Sequence, residues 1–236
     1  MTSRVKHVSV VVDQIWRYPI KSMGGEQLEL SYADERGLLG DRVWAVQDDA
    51  GKLGSGKDSR RFTRILGLLH LSASYLDEAE PPIVTTEDGS QYPVATGAAD
   101  AYLRALTGRS LHVCRDTGIM HFDEVPFSLV GTATLDWLAQ QVDVPVDARR
   151  LRPNIVVRTD EPFAEEAWVG RTVRIGDVEA VFDRVFMRCV MVNMSRPGMA
   201  AGSVLKQIGQ RGEPCIAIGG HVGQSGKFRL GDDILA

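Results

Sequence analysis

Short runs rich in β-branched residues, each broken within a few positions by turn-forming residues, constrain this fold most. Val8 to Trp16 runs into Tyr18-Pro19, and proline lacks the N–H that a sheet ladder needs. Gln27 to Tyr32, Arg42 to Gln47 and Leu68 to Ser74 are runs of the same kind. Ile83 to Thr86 and Gln91 to Val94 flank Asp88-Gly89, a dipeptide suited to a tight hairpin turn. In the second half, Asn154 to Arg158, Thr172 to Ile175, Val178 to Phe186 and Cys189 to Val192 read as strands. Two similar runs there end in Gly176-Asp177 and Gly231-Asp232, a two-residue hairpin signal. Many short strands with few helices point to barrels.

Helical spacing is confined to three places. Ala99, Tyr102, Leu103 and Leu106 share one helix face, with Gly108 as the stop. Leu135, Leu138, Ala139 and Val142 repeat the spacing, with Thr132 or Thr134 as the cap. A short third helix is expected around Gly202 to Gln210. The expected class is therefore mostly β with a few helices (α+β). A length of 236 residues allows one to two domains, and the stretch from Arg115 to Asp123 is the candidate linker.

Net charge of −4 argues against a nucleic-acid binder, which usually carries a basic stripe. The apolar run at the N-terminus is too short for a signal segment, and no window approaches a membrane span. The expectation is a cytoplasmic protein with no membrane or nucleic-acid partner. Cys114, Cys189 and Cys215 form no C-x-x-C pair and read as reduced thiols. Three cysteines cannot supply the four thiolates of an ordinary iron–sulfur cluster, so any such relay sits on another chain.

Three segments could carry chemistry. The first is Arg184 to Asn193. On a continuous strand Cys189 would share a face with Asp183, Val185, Met187 and Met191, and Arg184 and Arg188 would share the other with Phe182 and Phe186. A cysteine there is ordinarily a small buried hydrophobe. A bend at Cys189 would bring the Arg188 cation to the sulfur and favour the thiolate, the form that binds metals. The second is Tyr18-Pro-Ile-Lys21-Ser22 with a glycine-rich continuation, either a phosphate-holding loop or a solvated turn. The third is Arg149-Arg150-Leu-Arg152-Pro-Asn154, where Pro153 biases Arg152 toward extended backbone and an arginine fork could bind an anion. Arg42, at the start of an expected strand, is a further basic residue. The five histidines are scattered without ligand spacing, and there is no G-x-S-x-G elbow, nucleotide-binding glycine loop or H-E-x-x-H helix.

In order along the chain, these segments resemble a known family. Trp16-Arg-Tyr-Pro-Ile-Lys-Ser22 and Gly40-Asp-Arg-Val-Trp44 look like signatures of the MOSC N-terminal β-barrel. Arg152-Pro-Asn154-Ile-Val-Val, Arg188-Cys189 and the ending Gly231-Asp-Asp-Ile look like those of the MOSC domain. The resemblance implies an N-terminal MOSC β-barrel over residues 1–117 and a C-terminal, β-barrel-like MOSC domain over 118–236. It implies a molybdenum cofactor (Mo-molybdopterin) whose metal is ligated by the Cys189 sulfur, also the catalytic residue. Lys21, Ser22, Arg42, Arg152 and Asn154 would hold its pterin and phosphate, with Arg188 as a further member. The implied activity is oxidoreductase chemistry on a small-molecule substrate, the reduction of N-hydroxylated compounds, with electrons from a separate reductase. Alternatives are a persulfide sulfur carrier or transferase using Cys189, and a non-catalytic module that carries the cofactor. Two residues depart from the family pattern: Met187, where a small hydroxyl residue or proline is common, and Asn193, where threonine is common. The basic residues lie far apart in sequence, so the expected site is a cleft between the two halves.

Overall fold

The computed structural model describes residues 10–118 and 120–236. Val8 and Ser9, the first positions of the first expected strand, lie outside the described residues. The first half contains strands β1 (Val12–Arg17), β2 (Glu26–Leu28), β3 (Leu30–Asp34), β4 (Gly37–Leu38), β5 (Trp44–Asp48), β6 (Leu53–Ser55), β7 (Phe62–Arg64), β8 (Ser72–Ser74), β9 (Ile83–Thr85) and β10 (Gln91–Pro93). Helix α1 (Ala98–Thr107) and strand β11 (Leu111–Arg115) complete it. The second half contains β12 (Phe127–Gly131), α2 (Thr132–Gln141), α3 (Ala148–Leu151), β13 (Ile155–Val157), β14 (Arg171–Ile175), β15 (Val178–Met187), α4 (Val204–Ile208), β16 (Cys215–Gln224), β17 (Gly226–Arg229) and β18 (Ile234–Leu235). The fold is mostly β with four α-helices, and no sheet closes into a barrel among the described residues.

The large sheet runs β2-β1-β13-β12-β16-β15-β14-β18, so the first two strands of the chain pair inside the sheet of the second half. Its core draws Val12, Ile15, Ala33 and Leu38 together with Phe127, Phe182, Ile218 and Phe228. Strand β12 is buried at all five positions because it lies between β13 and β16, as a continuous apolar run on a central strand requires. The sheets β11-β5-β6-β7 and β10-β9-β8 belong to the first half and pack around a second core with α1. The residue 117/118 boundary therefore does not separate the sheets: the chain starts in the large sheet, leaves it, and returns.

Helix α1 ends on left-handed Gly108 as its sequence suggests, and β9 and β10 form the hairpin expected at Asp88-Gly89. Gly176-Asp177 likewise turns β14 into β15. Other expectations give way to tertiary pairing. Leu68–His70 is a 3-10 turn started by left-handed Gly67, and only Ser72–Ser74 is a strand. Gln27 to Tyr32 divides at Glu29, since β2 pairs with β1 whereas β3 pairs with β4 and β17. Gly231-Asp232 closes no hairpin, because β17 pairs with β3 and β18 with β14. Neither expected threonine caps α2: the Thr159 hydroxyl accepts from the Ala133 N–H at 3.2 Å, and the Thr134 hydroxyl donates to Glu165.

Candidate functional site

The turn after β1 and the approach to β5 are laced together. Lys21 N–H donates to the Trp44 carbonyl, Arg42 N–H to Tyr18 and Trp44 N–H to Pro19. Tyr18 and Ile20 are wholly buried, which draws the intervening turn inward with them. Lys21 is 6% exposed and Ser22 4%, so this is no solvated turn. Strand β13 pairs with β1, and Trp16 N–H donates to the Asn154 carbonyl. That pairing carries Arg152 to the Tyr18 ring, 4.1 Å from its centroid, with the Arg42 guanidinium 5.0 Å from the same centroid.

Arg152 departs from the extended backbone that Pro153 favours. It is the C-cap of α3, with φ 57° and its N–H bonded to Ala148. The helix end overrides the local bias, since a left-handed residue closes the last turn. Among the described residues, five other than glycine have positive φ: Ser22, Arg42, Arg152, Phe163 and Ala217. The first three line one cavity. Left-handed backbone costs a residue with a Cβ about 1–2 kcal/mol, and such strain gathers at functional sites.

The segment around Cys189 is bent. Strand β15 ends at Met187, opposite Cys215, where its ladder with β16 also ends. With no partner strand beyond that register, the chain turns into a short 3-10 helix, Val190–Asn193, instead of the expected strand, and Val192 packs into the core beneath α2 and α4. Register shifts in β15 also break the expected face alternation. Arg184 faces solvent and pairs with Asp183, whereas the Arg188 guanidinium turns in and donates to the Leu151 carbonyl. Burial lowers the Arg188 pKa, and the charge of neighbouring Cys189 acts in the opposite sense. Cys189 is half-buried, between exposed Met187 and Val190. Asn193 accepts from the Leu205 N–H at 2.7 Å, so its amide caps the start of α4.

A cavity of about 150 Å³ collects Lys21, Ser22, Arg42, Arg152, Arg188 and Cys189 from both halves of the chain. Asn154 does not line it. Its side chain is 1% exposed, accepts from the Ser128 hydroxyl at 3.0 Å and donates to Trp16, while Ser128 itself reaches the cavity. Asn154 thus braces the wall. Among the described residues, six cationic side chains line the cavity, the four named with Arg150 and Arg196, against two carboxylates, Asp123 and Glu124. Burial pushes Lys21 down to about 8 despite its ion pair with Asp123. Burial, then the like charge of Arg42, pushes Arg152 down to about 9. Arg152 Nη2 and Arg196 Nε are buried with no hydrogen-bond partner among the described residues. Uncompensated buried cations are costly, so an anion of matching shape would be stabilised here. These donors fit a phosphate-bearing group, and the half-buried thiol offers a soft metal ligand beside them.

The arginine run is divided by role. Arg149 points outward to Asp147. Arg150, 1% exposed, donates to the carbonyls of Val192 at 2.9 Å, Ala200 at 2.8 Å and Pro145 at 3.0 Å. Arg196 donates to Met191 at 2.8 Å and to Arg149 at 2.5 Å. These two arginines pin the loop after Cys189 to α3. Sequence reading missed Arg196 and Asp123, which lie in loops with no periodic or spacing signal.

The MOSC domain model matches residues 116–234, and the MOSC N-terminal beta barrel domain model matches residues 9–94. The chain belongs to the MOSC family. Among MOSC relatives, the mitochondrial amidoxime-reducing component 1 of Mus musculus is 25% identical, over 81% of this chain and 67% of its own length. Its Homo sapiens counterpart is 25% identical, over 78% and 66%. The molybdenum cofactor sulfurase of Oryza sativa subsp. japonica is 26% identical, over 91% of this chain and 31% of its own. The chain therefore spans about two thirds of the first two relatives and about a third of the sulfurase. The crystal structure of the YUAD protein from Bacillus subtilis superposes with a TM-score of 0.51 at 12% identity, covering 96% of this chain and 94% of that one, a likeness of fold.

Proposed function

We propose that this MOSC protein binds a molybdenum cofactor and reduces N-hydroxylated small molecules with electrons from a separate reductase. The observation that carries the reading is the convergence of Lys21, Ser22, Arg42, Arg152, Arg188 and Cys189 on one cation-rich cavity. Cys189 is the metal ligand and the catalytic residue in this reading. The Arg188 guanidinium turns inward beside it and adds to the positive charge of the cavity. Lys21, Arg42 and Arg152 hold phosphate oxygens, and the Ser22 hydroxyl adds a donor. When bound, the group supplies two-electron redox chemistry, and the protein supplies orientation and charge. Exposed Met187 and Val190 leave the cysteine segment open to a substrate from solvent. No helix among the described residues is long and apolar enough to cross a membrane.

The same open thiol supports a second reading, a persulfide carried on Cys189. Elemental analysis and pterin fluorescence of protein from a cofactor-producing host separate the two. The reductase reading expects near-stoichiometric molybdenum in the wild type and its loss in Cys189→Ala. No metal in either protein, with a mass gain of about 32 Da on Cys189 after incubation with a desulfurase, would replace it with the sulfur carrier.

A further inference from the structure

A second cavity, of about 360 Å³, shares Arg152 and Arg196 with the first. That volume lies within the range of small-molecule sites, roughly 300–1,000 Å³. Its wall holds His70 and Glu87 from the first half and Arg149, Arg152, Arg196 and Pro197 from the second. His70 ends the 3-10 turn Leu68–His70, and Glu87 stands in the β9–β10 turn. The His70 Nδ1 lies 2.5 Å from Glu87 Oε1, and its Nε2 lies 3.0 Å from Ser195 Oγ. Ser195 immediately precedes a turn closed by two reciprocal backbone hydrogen bonds between Arg196 and Met199, which fixes its place.

A hydroxyl on one imidazole nitrogen and a carboxylate on the other is the relay that activates serine nucleophiles, and it is recognised by geometry, whatever the fold or chain order. We infer that Ser195, His70 and Glu87 form a nucleophilic relay that hydrolyses esters bearing a carboxylate or phosphate group. Glu87 holds the proton on Nδ1, which leaves Nε2 as an acceptor for the Ser195 hydroxyl. Ser195 Oγ bonds to the acyl carbon as its proton passes to His70 Nε2. The ester C–O bond then breaks, and the departing alcohol takes that proton. Water repeats the sequence on the acyl-serine, releasing the free acid and restoring the hydroxyl, with no net oxidation. The anionic group of the ester is called for by the lining, in which, among the described residues, Arg149, Arg152 and Arg196 stand against a single carboxylate, Glu87. This activity is independent of molybdenum and of Cys189.

The test is labelling of the full chain with a fluorophosphonate, mapped by peptide mass spectrometry. A phosphonyl adduct on Ser195 is expected, absent in Ser195→Ala, and formed about 100-fold more slowly in His70→Ala and in His70→Gln, the loss typical of a general base. Melting temperatures of both His70 variants establish that they are folded. Hydrolysis of the p-nitrophenyl hemiester of succinate should exceed that of p-nitrophenyl acetate and follow the same order among variants. No adduct on Ser195, or equal labelling rates in wild type and in either folded His70 variant, would overturn the inference and leave the cluster as a tether between Ser195 and the first half of the chain.

Discussion

Arg42 and Arg152 both hold left-handed backbone conformations, φ 50° and 57°, and Arg42 Nη2 donates to the Arg152 carbonyl at 3.0 Å. Two like charges are brought together by backbone that neither prefers. Removing the Arg152 side chain and relieving its backbone are separable. Arg152→Ala and Arg152→Gly both lose the guanidinium, but only glycine accepts the left-handed region freely. Arg152→Gly should be the more stable of the two by about 1 kcal/mol in denaturant unfolding, and both should lose molybdenum. Equal stability would mean that the strain is relaxed in the folded protein.

Arg150 is expected to matter through structure. Truncation to alanine strips donors from the carbonyls of Pro145, Val192 and Ala200 and opens a hole beneath α3. The expected cost is about 3 kcal/mol, typical of leaving buried polar groups unpaired. Because Val192 is three residues past Cys189, metal content should fall as well. Arg150→Lys keeps the charge but not the fork, and should recover only part of the stability. A chemical denaturation series reads both effects.

Asn154 should behave as a brace. Asn154→Ala removes the acceptor of the Ser128 hydroxyl and the donor to the Trp16 carbonyl at a fully buried position. A loss of about 1–3 kcal/mol is expected, with the affinity for added sulfate changed less than in Arg152→Ala. A stable variant with lost anion binding would instead put Asn154 in contact with the ligand.

The periodic signals proved legible where local and tertiary preferences agree, as in α1 with its Gly108 stop and the hairpin at Asp88-Gly89. They failed where pairing decides. Nothing in Cys189 to Val192 tells that the partner strand ends at Cys215, so a β-branched run folds as a 3-10 turn. The motif residues Lys21, Ser22, Arg42, Arg152 and Cys189 were legible by resemblance, but their common cavity depends on β1 pairing with β13, a long-range contact. Left-handed Arg152 was illegible because Pro153 argues locally for the opposite, and only the capped end of α3 reverses it. Arg196 carries no spacing signal at all; its role comes from the carbonyls that the folded loop turns toward it.

The pH dependence of anion binding follows from Lys21. Burial lowers its pKa from 10.5 to about 8, so the unfolded chain holds this proton more tightly than the folded one. Between those values stability gains as pH rises, because the folded protein releases the proton first; below about 8 the penalty of the buried cation is fully present. A bound anion favours the charged form and raises the Lys21 pKa, so binding takes up a proton above about 8. The dissociation constant for sulfate, which does not titrate in this range, should be flat from pH 6 to 7 and weaken about tenfold between pH 7 and 9. Titration calorimetry in two buffers of different ionisation enthalpy should show proton uptake at pH 9 and none at pH 7. In Lys21→Gln the affinity should be lower at neutral pH and flat up to about pH 8, above which only the titration of Arg152, lowered to about 9, remains. A slope between pH 7 and 8 that persists in that variant would assign the titration to another group of the cavity.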